Sequence, residues 1–248
     1  MSMSTTPITK PSLYDATRRV FCEGPILEAV HEFSLFDEDS KAFVDRPLLR
    51  DPEDVLAAFS ELQQKDKRSI CEFMEANFGA PGSALENHTP DDFRAAPPES
   101  LLAVLRASSN PKAFLRWATE LQGLWLTLCR RVRSDVLQHP SRCTLLPRKH
   151  PFVVPGGRFQ ETYYWDSYWI VLGLMTSGLF VTARRMVENL LEDVLEYGFC
   201  PNGSRLYYLN RSQPPLLSDM VMALFSHGAV DTMCKVMPIP NPCEIDLS

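Results

Sequence analysis

Apolar residues recur at intervals of three and four along most of this chain of 248 residues, and this spacing is the period of an amphipathic α-helix. One helix is predicted to start at Asp51, with Pro52 in its first position and Val55 and Phe59 on its inner face. Alternation of period two, which is typical of a half-buried strand, is almost absent. The sequence therefore predicts an all-α fold.

The longest predicted helix starts at Asn110-Pro111 and runs to His139-Pro140, where the second proline stops it. Its apolar stripe consists of Phe114, Trp117, Leu121, Leu124, Trp125 and Leu128. Shorter helices are predicted from Ser69 to near Gly79, and over residues 166–177, 181–197 and 216–225. Residues 80–98 are predicted to form a loop, and residues 206–209 a short strand or an extended arm.

Composition excludes several classes of function. The net charge of -6 and the pI near 5.4 argue against a nucleic-acid-binding protein, which normally carries a basic face. The chain lacks an apolar run of eighteen residues, so no membrane segment is expected, and its start lacks the apolar block of a secretory signal, so a cytoplasmic location is expected. The seven cysteines do not have metal-binding spacing, and neither a metal nor another cofactor is expected.

The most polar aromatic segment lies at residues 155–168. It contains two glycines, one arginine, one glutamate, one aspartate and five aromatic rings. A core element would not tolerate these charges without partners, because an ionised group is costly to desolvate. A polar pocket with aromatic walls fits the segment better, and such a pocket suits a sugar, whose C–H faces pack on rings while its hydroxyls bond to charged groups.

Two further polar loops follow, at residues 201–205 and 210–215, each between predicted helices. In packed helical hairpins, loops one hairpin apart return to the same end of the bundle. One pocket is therefore expected to collect Arg158, Trp165, Asp166, Asn202, Arg211 and Gln213.

Structural explanations compete with this interpretation for each residue. Asp166 could be a helix N-cap, Trp165 a core ring, and Arg158 and Arg211 surface charges. Gly203 could serve only as a turn residue. Taken singly, none of these residues would carry a functional claim.

Together, the segments resemble a known family. Residues 155–168 resemble the first signature of the trehalases, the glycoside hydrolases that split α,α-trehalose into two glucose molecules. Residues 201–203 and 207–217 resemble later segments of that family, residues 24–30 and 43–48 resemble the entry segment of its animal-type members, and the likeness covers roughly residues 20–228. The resemblance implies an (α/α)6 toroid and inverting hydrolysis. It places substrate contacts on Arg158, Trp165, Asp166, Asn202, Arg211, Ser212 and Gln213.

The chain departs from the family in its catalytic residues. An inverting glycosidase needs two carboxylates, one on each side of the scissile bond, and in trehalases this pair lies downstream of the segments found here. No catalytic residue is therefore assigned in this chain, and Glu161, Asp166 and Asp219 are expected to bind or support instead. We expect a polar tail at 1–20, an incomplete toroid at 21–230 with unpartnered apolar helix faces, and an unstructured tail at 231–248.

Three functional hypotheses follow from these observations. The first is a trehalase-family chain that is truncated and inactive by itself, whose full-length relatives are exported and membrane-anchored. The second is a fragment that binds α,α-trehalose without hydrolysing it. The third is a helical fragment that docks onto an intact trehalase.

Overall fold

The computed structural model describes residues 11–36, 39 and 41–226, and of residues 11–13 only the backbone. This part of the chain is mostly helical. Its α-helices are α1 Pro11–Phe21, α2 Pro25–Glu32, α3 Lys41–Val44, α4 Pro52–Ser60, α5 Lys67–Asn77, α6 Glu99–Arg106, α7 Pro111–Leu128, α8 Ser134–Gln138, α9 Tyr164–Thr176, α10 Phe180–Tyr197 and α11 Leu217–Ser226. Single 3-10 turns lie at Pro140–Arg142 and Leu206–Tyr208. The tail predicted at 231–248 and residues 1–10 of the tail predicted at 1–20 lie outside the described residues, whereas residues 11–20 belong to α1.

Local capping explains several helix boundaries. Asn110 caps α7, with its side chain accepting a hydrogen bond from the amide of Ala113. Gly198 ends α10 in the left-handed region at φ 82°. Asp66 caps α5 by accepting from the amide of Ser69, so this helix starts two residues before the predicted serine. Asp51 precedes α4 as predicted, but its carboxylate binds Arg142 at 2.8 Å instead of capping the helix.

A small antiparallel sheet interrupts the helices, in the order β1 Leu85–Asn87, β2 Cys129–Val132 and β3 Phe152–Val153. Leu85 pairs with Val132 on one side of β2, and Cys129 pairs with Val153 on the other. The prediction that the longest helix runs to His139-Pro140 is wrong. Helix α7 ends at Leu128, and Cys129 begins strand β2. The loop predicted over residues 80–98 contains β1. Strands of two to four residues are too short to show alternation in the sequence.

The prediction for residues 206–209 is also wrong, since Leu206–Tyr208 form a 3-10 turn. The helix predicted over 166–177 begins earlier, at Tyr164, and ends at Thr176. The predicted helices over 181–197 and 216–225 match α10 and α11 to within one residue at each end.

Two hydrophobic clusters form the interior of the described part of the chain. The first is built by α1 to α5 around Val20, Phe43 and Ile70. The second packs α9, α10 and α11 on the sheet, around Val171 and Leu174. Residues 141–145 join the clusters, because the Thr144 hydroxyl donates to the carbonyl of Val44 at 2.8 Å and the Leu48 amide donates to the carbonyl of Arg142.

Helix α7 meets the second cluster along a narrow edge. The Gln122 amide donates to the carbonyls of Arg94 and Ser177, and the Trp125 indole N–H donates to the Ser177 hydroxyl at 2.9 Å. Gly173 allows this approach, since a β carbon there would lie 3.2 Å from the Trp125 ring. Most of the predicted stripe is nevertheless exposed: Phe114 40%, Trp117 56%, Leu121 40% and Leu124 48%. In the described part of the chain, no helix combines the length and apolar character needed to cross a bilayer.

Candidate functional site

Backbone hydrogen bonds join the three polar loops, which we call the first loop (155–163), the second loop (201–205) and the third loop (210–216). The Ser204 amide donates to the Thr162 carbonyl at 2.9 Å, and the Tyr164 amide donates to the Asn202 carbonyl at 3.0 Å. The Asn202 amide in turn donates to the Arg211 carbonyl at 2.9 Å. The second loop therefore lies between the other two and fixes their spacing.

Gly203 is required by this close approach. A β carbon there would lie 2.9 Å from the carbonyl oxygen of Thr162 and 3.0 Å from the Tyr208 ring. Any larger residue would therefore push the first and second loops apart. Its role is more than that of a turn residue.

Trp165 and Asp166 lie in the first turn of α9, after the first loop. Tyr163 occupies the N-cap position and Asp166 the third helical position, so the N-cap interpretation of Asp166 is wrong. The Trp165 ring is 40% exposed, so it is not a core ring. Among the residues that the structure describes, none forms a hydrogen bond or ion pair with the Asp166 carboxylate. The positive end of the helix favours this negative charge. Within the described part of the chain, both oxygens of Asp166 remain open to accept hydrogen bonds.

The third loop is tied to α9 by Gln213, whose side-chain oxygen accepts a hydrogen bond from the Trp165 amide at 2.8 Å. The amide group of Gln213 keeps its N–H donors for other partners. The Ser212 hydroxyl donates to the Cys200 carbonyl at 2.7 Å, which links the third loop to the chain before the second. Leu217, at the start of α11, donates its amide to the Tyr164 hydroxyl at 2.9 Å.

The two predicted arginines lie at opposite ends of a row of aromatic rings. The Arg211 guanidinium lies 4.9 Å above the Tyr208 ring, and Tyr208 packs on Tyr163 with 5.8 Å between ring centroids. Tyr163 packs on Phe159 at 5.7 Å, and Arg158 lies 5.8 Å from the Phe159 ring.

Arg158 is the least closely connected of the predicted residues. It forms an ion pair with Asp39 at 2.8 Å. It also lines a cleft of about 390 Å³ together with Asp39, Asn87, Arg130 and Gln160. Direct hydrogen bonds thus join Trp165 to Gln213 and Asn202 to Arg211. Among the residues described, Arg158 is linked to them through the aromatic row.

A buried charge cluster of Lys41, Asp45, Glu161 and Arg205 lies beneath the first and second loops. Arg205 is 1% exposed and binds Asp45 at 2.8 Å. Lys41 donates to Glu161 Oε1 at 2.6 Å and lies 3.4 Å from Asp45. The two cations balance the two carboxylates, as buried charges require.

Burial and charge act in opposite directions on the pKa values in this cluster. Burial raises the pKa of Asp45 above its ordinary value, although Arg205 and Lys41 act to lower it. Burial alone would lower the pKa of Arg205, but the Asp45 and Glu161 carboxylates raise it instead. Arg205 therefore stays charged, and it anchors the second loop to α3.

Sequence reasoning placed Glu161 among the supporting groups but missed Lys41, Asp45 and Arg205. Asp45 and Arg205 lie within two of the segments with family resemblance or polar-loop character, at 43–48 and 201–205. A charged residue next to apolar residues in the sequence is the signal that could have indicated a buried charge. It does not reveal which charges meet, because Lys41 and Glu161 are 120 positions apart.

Comparison with known proteins agrees with the resemblance seen in the sequence. A sequence model of the trehalase family matches residues 35–238. The chain is 41% identical over 213 residues to a trehalase of Homo sapiens, with 84% of this chain and 35% of that protein covered. It is 42% identical over 209 residues to a trehalase of Bombyx mori, covering 82% and 35%. To a probable trehalase of Oryza sativa subsp. japonica it is 44% identical over 214 residues, covering 85% and 37%. The chain thus spans about a third of the length of these relatives.

Proposed function

Since the chain belongs to the trehalase family, we propose that its three loops bind a glucose unit of α,α-trehalose as one part of an inverting glycoside hydrolase site. The backbone bonds that hold the second loop between the first and third carry this proposal. They bring a carboxylate without a partner in the described part of the chain, an exposed indole and an arginine close together, which is the chemistry that binds a polyol with flat C–H faces.

Each predicted residue has a role that its surroundings support. Asp166 accepts hydrogen bonds from sugar hydroxyls, and the exposed Trp165 ring packs on the apolar face of the glucose. Arg211 donates to neighbouring hydroxyls through its planar fork. The side-chain amides of Asn202 and Gln213 donate to the remaining oxygens.

Arg158 and Ser212 contribute differently. Arg158 already binds Asp39 through one N–H group, but a guanidinium carries five donors, so others remain for a sugar hydroxyl. The Ser212 hydroxyl is engaged with the Cys200 carbonyl. Its role in the proposal is therefore to hold the third loop in place for Arg211 and Gln213.

Hydrolysis by this chain alone is not part of the proposal. Inversion needs two carboxyl groups roughly 6.5–9.5 Å apart, one of them protonated and both open to the substrate. Of the carboxylates described around the three loops, Asp45 and Glu161 are buried in the charge cluster, and Asp39 is paired with Arg158. Asp166 and the exposed Asp219 in the first turn of α11 are the remaining carboxylates. The proposal gives neither a catalytic role, because the family resemblance assigns them only binding or support.

The test uses the purified chain and α,α-trehalose, with binding followed by calorimetry and glucose release by a coupled enzyme assay. We expect saturable binding without release of glucose. Release of glucose would overturn the statement that the catalytic pair is missing. Absence of binding at millimolar trehalose would overturn the sugar site.

The exposed stripe of α7 favours a second candidate function, which is docking onto another protein. An intact trehalase is the partner that the sequence hypothesis names. That function predicts association with the intact enzyme and no affinity of this chain for the sugar. Calorimetry with each partner separates the two functions.

A further inference from the structure

We propose that Tyr163 and Glu161 are positioning residues that hold the Arg211 guanidinium in its sugar-binding orientation, acting through Tyr208. The inference rests on the proposed function, because it assigns Arg211 to the sugar. It concerns residues for which the sequence suggested at most a supporting role.

A continuous chain of contacts runs from the buried charge cluster to Arg211. The Glu161 side chain is fully buried, and its Oε1 atom accepts from Lys41 at 2.6 Å and from the Tyr163 hydroxyl at 2.7 Å. The Tyr208 hydroxyl donates to the Tyr163 oxygen at 3.4 Å. The Tyr208 ring then lies beneath Arg211, 4.9 Å from its guanidinium carbon.

The direction of these hydrogen bonds follows from the carboxylate. An ionised carboxylate can only accept, so the single proton of Tyr163 is committed to Glu161, and its oxygen is left to accept from Tyr208. Burial, together with the hydrogen bonds to Tyr208 and Glu161, raises the pKa of Tyr163 far above its ordinary value. The phenol therefore stays protonated, and the chain of donors keeps one direction.

Arg211 is the exposed end of this chain. A free arginine side chain has many rotamers, and fixing it costs about 1.5–2 kcal/mol of conformational entropy. The Tyr208 ring is held in position by its hydrogen bond and ring contact with Tyr163, so its cation–π contact restricts Arg211 before the sugar arrives. Tyr163 thereby supplies preorganisation and needs no contact of its own with the sugar.

A purely structural role for Tyr163 is the competing explanation, and a small substitution separates the two. Tyr163→Phe keeps the ring contacts with Phe159 and Tyr208 and leaves every charge of the cluster in place, but removes the hydroxyl. Tyr207→Phe is the matched control. Its ring also packs on Tyr208, at 4.6 Å, while its hydroxyl has no hydrogen-bond partner among the described residues.

The first measurement is made without sugar. In protein labelled with ¹³C-arginine, the Tyr208 ring current shifts the Arg211 δ-proton signals upfield, and the missing signals of Arg211→Gln assign them. We expect Tyr163→Phe and Tyr208→Phe, which break the link from either side, to remove at least about half of this shift. Tyr207→Phe should keep it. An unchanged shift in Tyr163→Phe, or an equal loss in Tyr207→Phe, would overturn the proposal. Circular dichroism and Tm establish whether each variant is folded. If Tyr163→Phe does not fold, the shift measured in Tyr208→Phe tests the proposal.

The second measurement is the affinity for α,α-trehalose. We expect Tyr163→Phe to weaken binding about five- to tenfold, which is part of the roughly 12- to 30-fold that the full entropy cost corresponds to. Combined with Arg211→Gln, it should weaken binding no further than Arg211→Gln alone, since it acts through that residue. An additive loss would contradict this. If the unmodified chain does not bind trehalose, the proposed function fails, while the NMR comparison still decides whether Tyr163 positions Arg211.

Discussion

Asp166 is a carboxylate at the positive end of a helix without a partner among the described residues, and an arrangement of this kind suits a ligand-binding group better than a structural one. Its neighbours on the same turn and in the third loop are held by hydrogen bonds, as the link from Trp165 to Gln213 illustrates. The fold therefore positions Asp166 without using its side chain, and a change there should affect binding and leave stability intact.

We predict that Asp166→Asn weakens α,α-trehalose binding at least about tenfold, since a hydrogen bond to a charged group contributes roughly 1.5–3 kcal/mol. Its Tm should stay within about two degrees of the unmodified chain, because little buried structure is lost. Calorimetry and thermal unfolding check the two parts. The matched control is Asp54→Asn, which changes the third residue of α4 and should leave both values unchanged. Normal binding by Asp166→Asn would remove this residue from the site.

At the residue scale, the sequence indicated which polar residues belong to the site, but it did not indicate which residues they contact. Asp166, Asn202 and Arg211 stand out because they are polar residues among aromatic rings. Their common position depends on hydrogen bonds between backbone groups about 40 positions apart, such as that from Tyr164 to Asn202. A sequence alone does not contain such pairings. The burial of Arg205 was missed for the same reason.

At the scale of helices and strands, the buried pair of Arg148 and Asp193 fixes the segment before β3 on α10. Arg148 is 4% exposed and binds both oxygens of Asp193, with Nη2 to Oδ2 at 2.7 Å. The adjacent Lys149 forms an exposed pair with Glu192 at 2.8 Å. Two neighbouring cations thus bind the same helix, one in the core and one in water.

We predict that Arg148→Leu lowers the free energy of unfolding by about 3–5 kcal/mol, because it leaves the Asp193 carboxylate buried and uncompensated. Lys149→Leu should change it by less than about 1 kcal/mol, since exposed ion pairs contribute little. Urea unfolding of both variants measures the difference. Equal effects would show that the burial of the Arg148 pair does not govern this connection.

The sequence predicted helix boundaries that a single residue sets locally, such as the N-cap at Asn110 and the left-handed glycine at Gly198. It did not predict the end of α7. Residues 129–132 become a strand because β1 and β3 supply hydrogen-bond partners on both sides, and this tertiary context overrides local helix propensity. The short sheet is the main feature that an all-α prediction leaves out.

At the scale of the whole molecule, the exposed stripe of α7 departs from an ordinary monomer surface. Soluble monomers rarely expose contiguous apolar patches of this kind. We predict that the chain binds a hydrophobic dye such as ANS, and that combining Trp117→Lys with Leu124→Lys lowers the dye fluorescence by about half or more. The control is Glu120→Lys on the same helix, whose side chain is 68% exposed and pairs with Arg116. Fluorescence that does not change in the double variant would mean that the stripe is covered in solution.

The sugar site depends on how distant parts of the chain combine. Family membership follows from the match over residues 35–238. A crystal structure of this chain with α,α-trehalose tests the sugar site most directly. Our account predicts a glucose ring packed on Trp165, with hydroxyl oxygens about 3 Å from the Asp166 carboxylate and the Arg211 guanidinium. A saturating sugar bound elsewhere, with these side chains facing bulk solvent, would contradict it.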